Sequence, residues 1–130
     1  MPITNDFLDW IVDNMLGEST TPFDNANAHI GVGNSDTSFN ASQSDLQGTS
    51  ERGDMRSGYP DRDPDNDGSS NKQRYSTEFG QNDANFRWEE WGIFNASSGG
   101  TMMNREVEYI GEKTDKVSWV FDVDVTLNGA

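Results

Sequence analysis

The chain has 130 residues, enough for one domain with a hydrophobic core but not for two. Its formal net charge is −14, from 23 acidic against 9 basic side chains. Such a surface repels phosphate groups, so we expect neither nucleic-acid binding nor insertion into an anionic membrane. The absence of cysteine excludes a disulfide framework, a thiol nucleophile and a cysteine-based metal site.

The strong acidity has two interpretations, a disordered acidic chain or a folded protein from a high-salt host. Disordered chains are poor in aromatic residues, whereas 11% of this chain is aromatic and several segments alternate regularly. We therefore favour a halophilic setting, in which molar salt screens the self-repulsion. The N-terminal apolar segment contains acidic residues and lacks a basic lead, so we expect a soluble protein without a signal peptide.

The N-terminal segment has the spacing of a short amphipathic helix. Apolar residues recur every three or four positions from Phe7 to Leu16, Thr4 or Asn5 suits its N-cap, and Gly17 suits its end. We predict residues 1–17 to be a helical docking element, which either packs on the domain's own sheet or contacts a neighbouring subunit. The residues predicted to make the subunit contact are Phe7, Leu8, Trp10 and Ile11.

Residues 18–130 are predicted to form a single antiparallel β-sandwich domain, jelly-roll-like, so the fold class is mainly β with one short helix. The predicted strands are 28–33, 55–59, 72–79, the two arms of a hairpin over 85–105 continued by 106–109, and 117–127. In the last strand an apolar side chain stands at every odd-numbered position, which predicts one buried face along its whole length. The polar stretch 34–53 is predicted to be a long loop, either functional or a flexible excursion.

The hairpin segment carries the most information. Phe86 and Trp88 lie on one parity, Trp91 and Ile93 on the other, and two glutamates stand at the change of phase, which predicts a β-bulge. An aromatic set here predicts either a core or a sugar-stacking platform that includes Tyr109. The predicted core residues are Trp88, Trp91, Phe94, Trp119 and Phe121.

An acidic turn matches the opening of a calcium loop, D-x-[DN]-x-[DN]-G, in which alternate carboxylates converge on a hard cation. The position that should supply a bidentate glutamate is Arg74, and the flanking segments are predicted strands. The turn is therefore either a partial Ca²⁺ site or a hydrated acidic turn, and no other cofactor is expected. Its candidate ligands are Asp63, Asp65 and Asp67.

No motif indicates catalysis. His29 is the only histidine and is predicted to lie at a strand edge, and Glu89 and Glu90 form a pair that chance explains in so acidic a chain. We predict no catalytic residues and no enzymatic activity. Two glycosylation sequons begin at Asn40 and Asn95 and matter only if the protein meets a glycosylating machinery.

Several ordered segments carry a resemblance to known proteins. They are A28-H-I-G-V-G-N-S35, D45-L-Q-G48, M55-R-S-G-Y-P60, A84-N-F-R-W-E-E-W-G-I-F-N95, S98-G-G-T-M-M-N-R105, Lys113 and the terminal strand with Trp119. In this order they resemble the tail-fibre-like or minor virion structural proteins of tailed viruses. The resemblance implies a small β-sandwich carried on the virion as an oligomer, with no catalytic residue to transfer. The family has an ordinary turn where this chain has its acidic one.

Together these features predict a structural component of a tailed virus particle, with the acidity pointing to a virus of a halophilic archaeon. The expected partners are copies of the chain itself and other virion proteins, and the expected location is the virion, assembled in the host cytoplasm. The sequence leaves open whether it belongs to the capsid, as decoration or turret, or to the tail. The alternative is a host-surface module that binds a glycan or an S-layer through the 34–53 loop, with or without calcium.

Overall fold

The computed structural model describes residues 1–128. Its elements are α1 (Asn5–Met15), β1 (His29–Gly33), β2 (Ser50–Asp54), β3 (Asp61–Arg62), β4 (Lys72–Phe79), β5 (Arg87–Phe94), β6 (Glu106–Glu112) and β7 (Trp119–Thr126). The strands form two antiparallel sheets, in the orders β2-β1-β5-β6 and β3-β4-β7. The predicted class, a mainly β, sandwich-like fold with one short N-terminal helix, is confirmed. Over the described range, none of the helical structure has the length and apolarity needed to cross a bilayer.

Aromatic side chains join the two sheets. The Trp88 indole, fully buried on β5, meets Phe79 and Trp119 edge-on with ring centroids 5.0 Å apart in each case, and Phe121 at 5.6 Å. The three partners all belong to the other sheet. Trp88 is therefore the centre of the interface between the sheets, where edge-to-face pairs add to the apolar area that is buried.

Four of the five predicted core residues lie on this interface, and Phe94 lies in a separate small cluster with Leu46 and Met102. Trp88, Trp91 and Phe94 are buried, while Trp119 and Phe121 on the edge strand β7 are partly exposed and pack against the buried cluster. Because the first three side chains are inaccessible, they cannot form the alternative sugar-stacking platform. Tyr109 is exposed on β6, where the Arg87 guanidinium lies over its ring.

The predicted bulge is present. The register of β5 and β6 shifts between Trp88 and Glu90, so that Trp88 pairs with Gly111 and Glu90 with Val107. The extra residue keeps Trp91 and Ile93 on the same core-facing side as Trp88, while Glu90 points to the opposite side of the sheet, where its side chain is fully buried under the 34–49 loop.

One predicted strand is wrong in position. The strand placed at residues 55–59 is instead β2, Ser50–Asp54, inside the stretch predicted to be loop, and residues 56–59 form a turn. β2 has the sequence SERGD and pairs only with β1, at the edge of its sheet. An edge strand with little apolar burial carries no alternating pattern, so periodicity could not identify it. A two-residue strand, β3, was missed for the same reason.

The helix packs on its own domain. The Thr4 hydroxyl accepts the N–H of Phe7 as the N-cap, and the Thr4 N–H donates to the carbonyl of Met103. Phe7 is buried, and Trp10 stacks on its ring at 5.5 Å and meets the edge of Phe23 at 5.0 Å. This is the first of the two predicted roles, intramolecular packing.

Candidate functional site

A cleft lies between the C-terminal half of α1, the loop 19–27, the start of β1 and the turn 95–101. Its volume is about 570 Å³. Serine, threonine and asparagine side chains form most of its wall, Trp10 adds apolar surface, and Asp13 adds a carboxylate. We call this space the cleft.

One backbone carbonyl ties the walls of the cleft together. The oxygen of Thr21 accepts the indole N–H of Trp10 at 2.9 Å and the amide N–H of Asn95 at 3.0 Å. The side-chain oxygen of Asn95 in turn accepts the N–H of Thr101 at 2.7 Å. The helix, the 19–27 loop and the 95–101 turn are thus held in one arrangement before any ligand arrives.

Several polar groups on the wall retain free hydrogen-bonding capacity. Among residues 1–128, the Asp13 carboxylate and the hydroxyls of Ser19, Ser97 and Thr101 have no protein hydrogen-bond partner. They sit beside the satisfied groups of Trp10 and Asn95. The cleft therefore offers one anionic acceptor and several neutral donors and acceptors.

His29 lines the cleft but is already engaged. His29 is the first residue of β1, an inner strand of its sheet, and it is buried. Its Nδ1 lies 2.8 Å from the carbonyl oxygen of Asn27 and its Nε2 lies 3.0 Å from Oδ1 of Asp54. Both ring nitrogens are thus engaged, and the ring links the 19–27 loop to β2.

The outer side of α1 forms a second candidate site. Phe7 faces the core and cannot reach another subunit, and Trp10 and Ile11 pack partly against the core, so of the four predicted contact residues only Leu8 is well exposed. Further apolar residues continue the exposed stripe from Leu8. The outer face of α1, as we call it, consists of Leu8, Val12, Met15 and the C-cap residue Leu16.

A buried ion pair shapes the long polar loop. Nε of Arg105 lies 2.7 Å from Oε1 of Glu90, and both side chains are fully buried. The carboxylate also accepts the backbone N–H groups of Ser35, Gln47 and Gly48. The guanidinium donates to the carbonyl of Thr37 at 2.8 Å.

This pair was missed by sequence reasoning, which treated Glu90 as one of many acids. The available signal was its position at the phase change of an otherwise apolar strand. Its consequence is that residues 34–49 are bonded to the sheet at several points, so the loop is anchored and not the flexible excursion that the sequence left open.

The three candidate calcium ligands are bonded within the chain. Asp63 accepts the backbone N–H groups of Asp67 and Gly68, and Asp65 pairs with Lys72 at 2.5 Å. A hydrogen bond with Ser69 lowers the pKa of Asp67. In the part of the chain that the structure describes, no group of three or more acidic or histidine side chains is arranged to hold a metal ion. Calcium binding stays a hypothesis.

The two sequons differ in accessibility. Asn95 is buried and both ends of its side-chain amide are bonded, so the folded protein does not present it for modification. Asn40 is exposed in the long loop, where its side-chain oxygen accepts from Ser42.

Comparison with protein-family models, with curated proteins and with solved structures found no match for this chain. The resemblance to virion proteins therefore stays a prediction from the sequence.

Proposed function

We propose that this chain is a structural component of a tailed virus particle, an oligomeric surface protein of the capsid or the tail that associates with copies of itself through α1. The observation that supports this proposal most directly is the outer face of α1. Its four side chains are exposed by 46% (Leu8), 50% (Val12), 78% (Met15) and 70% (Leu16). A contiguous apolar stripe on a small soluble domain is typical of a protein contact.

A second copy of the chain fits this stripe. The four residues are spaced at helical intervals, so two such helices can pack along the same line, and in a two-fold pair each stripe meets itself. The same helix carries three aspartates, Asp6, Asp9 and Asp13, and its last turn has no basic residue. Their mutual repulsion opposes the pairing in dilute salt and is screened in molar salt, which agrees with a halophilic setting.

The sequence resemblance is the second support for the assignment to a virion, beside the outer face of α1. Many copies of a small domain on a symmetric particle supply an avidity that one copy lacks. The anchored loop 34–49 favours a second candidate role, a host-surface module, because a preorganised loop loses less entropy when it binds. Neither role requires a catalytic residue.

The assembly proposal is tested by Val12→Gln, with Val120→Gln as the matched control. Both valines are about half exposed, 50% and 51%, but Val120 lies on β7, away from α1. Burial of a valine side chain contributes about 1.5 kcal/mol or more, so Val12→Gln should raise the dissociation constant of the oligomer about tenfold. Val120→Gln should leave that constant unchanged. Light scattering and sedimentation in about 2 M KCl measure both.

A strictly monomeric native protein, or equal oligomers in the two variants, would contradict the proposal. Deletion of residues 1–17 is not a suitable test, because it removes Phe7 from the core and the N-cap bonds of Thr4.

A further inference from the structure

We propose that the cleft is a binding site for a neutral saccharide ring. The site is separate from the outer face of α1, the 34–53 loop and the acidic turn, so it does not depend on the assembly role. The size of the cleft is the first argument. Its volume of about 570 Å³ lies within the range of small-ligand sites, and it can hold one or two sugar rings.

Charge selects the kind of ligand. No lysine or arginine lines the cleft, and Asp13 contributes a carboxylate near the negative end of the helix dipole. With a net charge of −14 on the whole chain, a phosphate, sulfate or uronic acid would be repelled. Both ring nitrogens of the only histidine are engaged by Asn27 and Asp54, so neither is left to bond a ligand.

The polar groups of the cleft are of the kinds that form hydrogen bonds with sugar hydroxyls. An ionised aspartate only accepts hydrogen bonds, and Asp13 can take two hydroxyl donors of a sugar. The unpartnered hydroxyls of Ser19, Ser97 and Thr101 both donate and accept, as sugar hydroxyls do. An apolar ligand would leave all these groups desolvated without partners, which is costly.

An aromatic surface completes the site. Trp10 is partly exposed at the wall, where it adds an apolar surface that C–H groups of a sugar can contact. Its indole is held from three sides, by the stack on Phe7, the edge of Phe23 and the bond to Thr21. Because the ring and the turn are fixed in advance, binding costs little ordering of the protein.

The test uses the full chain and the methyl glycosides of glucose, galactose, mannose and N-acetylglucosamine, with methyl glucuronide as the acidic counterpart. Saturation-transfer NMR at millimolar ligand detects weak binding. We expect transfer from at least one neutral glycoside and less from the glucuronide than from the glucoside. Asp13→Ala and Ser97→Trp should each weaken the binding at least about tenfold, a change of about 1.4 kcal/mol.

The matched control is Asp9→Ala, which removes the same residue type from the same helix outside the cleft and should bind like the native protein. Circular dichroism and thermal melting check that each variant is folded. Absence of transfer from all four neutral glycosides overturns the proposal. So does binding that survives both cleft variants, which would place the sugar elsewhere, for example on the 34–53 loop, or a glucuronide that binds as well as the glucoside.

A second arm separates a free sugar from a surface glycan. Native electrophoresis through gels that contain mannan, galactan or dextran compares the polymer with the same sugar as a monomer. If a polymer retards the protein and the monomeric sugar at the same concentration does not compete, the ligand is a surface glycan. If polymer and monomer are equally effective, the ligand is the free sugar ring. Both results require the cleft, since the two cleft variants must abolish them.

Discussion

Glu90 and Arg105 show how single residues determine the shape of a long polar segment. Both are fully buried, and between them they bond the backbone of Ser35, Thr37, Gln47 and Gly48. Gly33 is needed beside them, because a Cβ there would clash with the buried Glu90 carboxylate. A carboxylate with three backbone donors and a guanidinium is fully compensated, which makes its burial tolerable.

Removal of one partner from this pair should be costly. Arg105→Met leaves the Glu90 carboxylate buried without its counter-charge, and we expect a loss of about 3–5 kcal/mol in the free energy of unfolding. The double variant Glu90→Gln with Arg105→Met carries no buried charge and should be less destabilised than Arg105→Met alone. Urea unfolding followed by circular dichroism measures both. If Arg105→Met unfolds at the same urea concentration as the native protein, the pair does not hold the loop.

At the scale of elements, β4 and β7 are joined by a charged pair as well as by their backbone ladder. Arg74 faces Asp124 in the register, and its Nε and Nη2 donate to the two carboxylate oxygens at 2.7 and 3.0 Å. The hydrogen bond from Arg74 lowers the pKa of Asp124. The Asp124 carboxylate thus links β7 to β4 in addition to the backbone ladder.

The sign of the resulting pH dependence follows from that lowered pKa. The folded state holds the proton of Asp124 more weakly than the unfolded chain does. The pair therefore stabilises the folded state at pH values above the unfolded pKa of about 4. The contribution is lost as the pH falls through the lower folded pKa. We expect Asp124→Asn to be less stable than the native protein at pH 7, with the difference narrowing below about pH 4.

Thermal melting between neutral and acidic pH checks this expectation. Asp36→Asn is the control, since Asp36 is an exposed loop aspartate whose side chain makes no hydrogen bond within residues 1–128. If the difference in melting temperature between Asp124→Asn and the native protein does not change with pH, the charge of the pair does not contribute to stability.

The helix shows why element type and element role are separate questions. The cap at Thr4 and the spacing of the apolar residues predicted α1 and its start. The same spacing did not tell which residues face inward, because Phe7, Trp10 and Ile11 pack inward while Leu8 and Val12 remain outside. The apolar residues of α1 cover more than one face of the helix, so their spacing alone does not determine which of them pack against the core.

At the scale of the whole molecule, the net charge of −14 opposes compaction. Salt reduces this repulsion, since the Debye length falls from about 10 Å at 0.1 M to about 3 Å at 1 M. We expect the melting temperature to rise by about 5 °C or more between 0.1 M and 2 M KCl, a gain of about 1–2 kcal/mol. Calorimetry measures the change.

Sucrose at matched osmolality is the control for a general solute effect, because it is excluded from the protein surface but does not screen charge. An equal rise in sucrose, or no rise in KCl, would show that the acidity is not what makes the fold respond to salt.

The sequence by itself determined those features that local patterns encode. Alternation predicted β4, β5 and β7, the change of phase at Glu89 and Glu90 predicted the bulge, and Thr4 was one of two predicted caps. β2 was not predicted, because its sequence SERGD has no alternating apolar residues. Each confirmed feature depends on neighbours within a few residues, which a pattern can record.

Only the tertiary structure decided which distant residues meet. Glu90 and Arg105 are 15 positions apart, and Thr21 receives hydrogen bonds from Trp10 and Asn95, which lie on either side of it in the chain. The sequence of the acidic turn suggested a shared cation, yet Asp65 instead pairs with Lys72 on β4. A polar side chain takes its role from the partner that the fold brings to it, and hydrophobic periodicity carries no record of that partner.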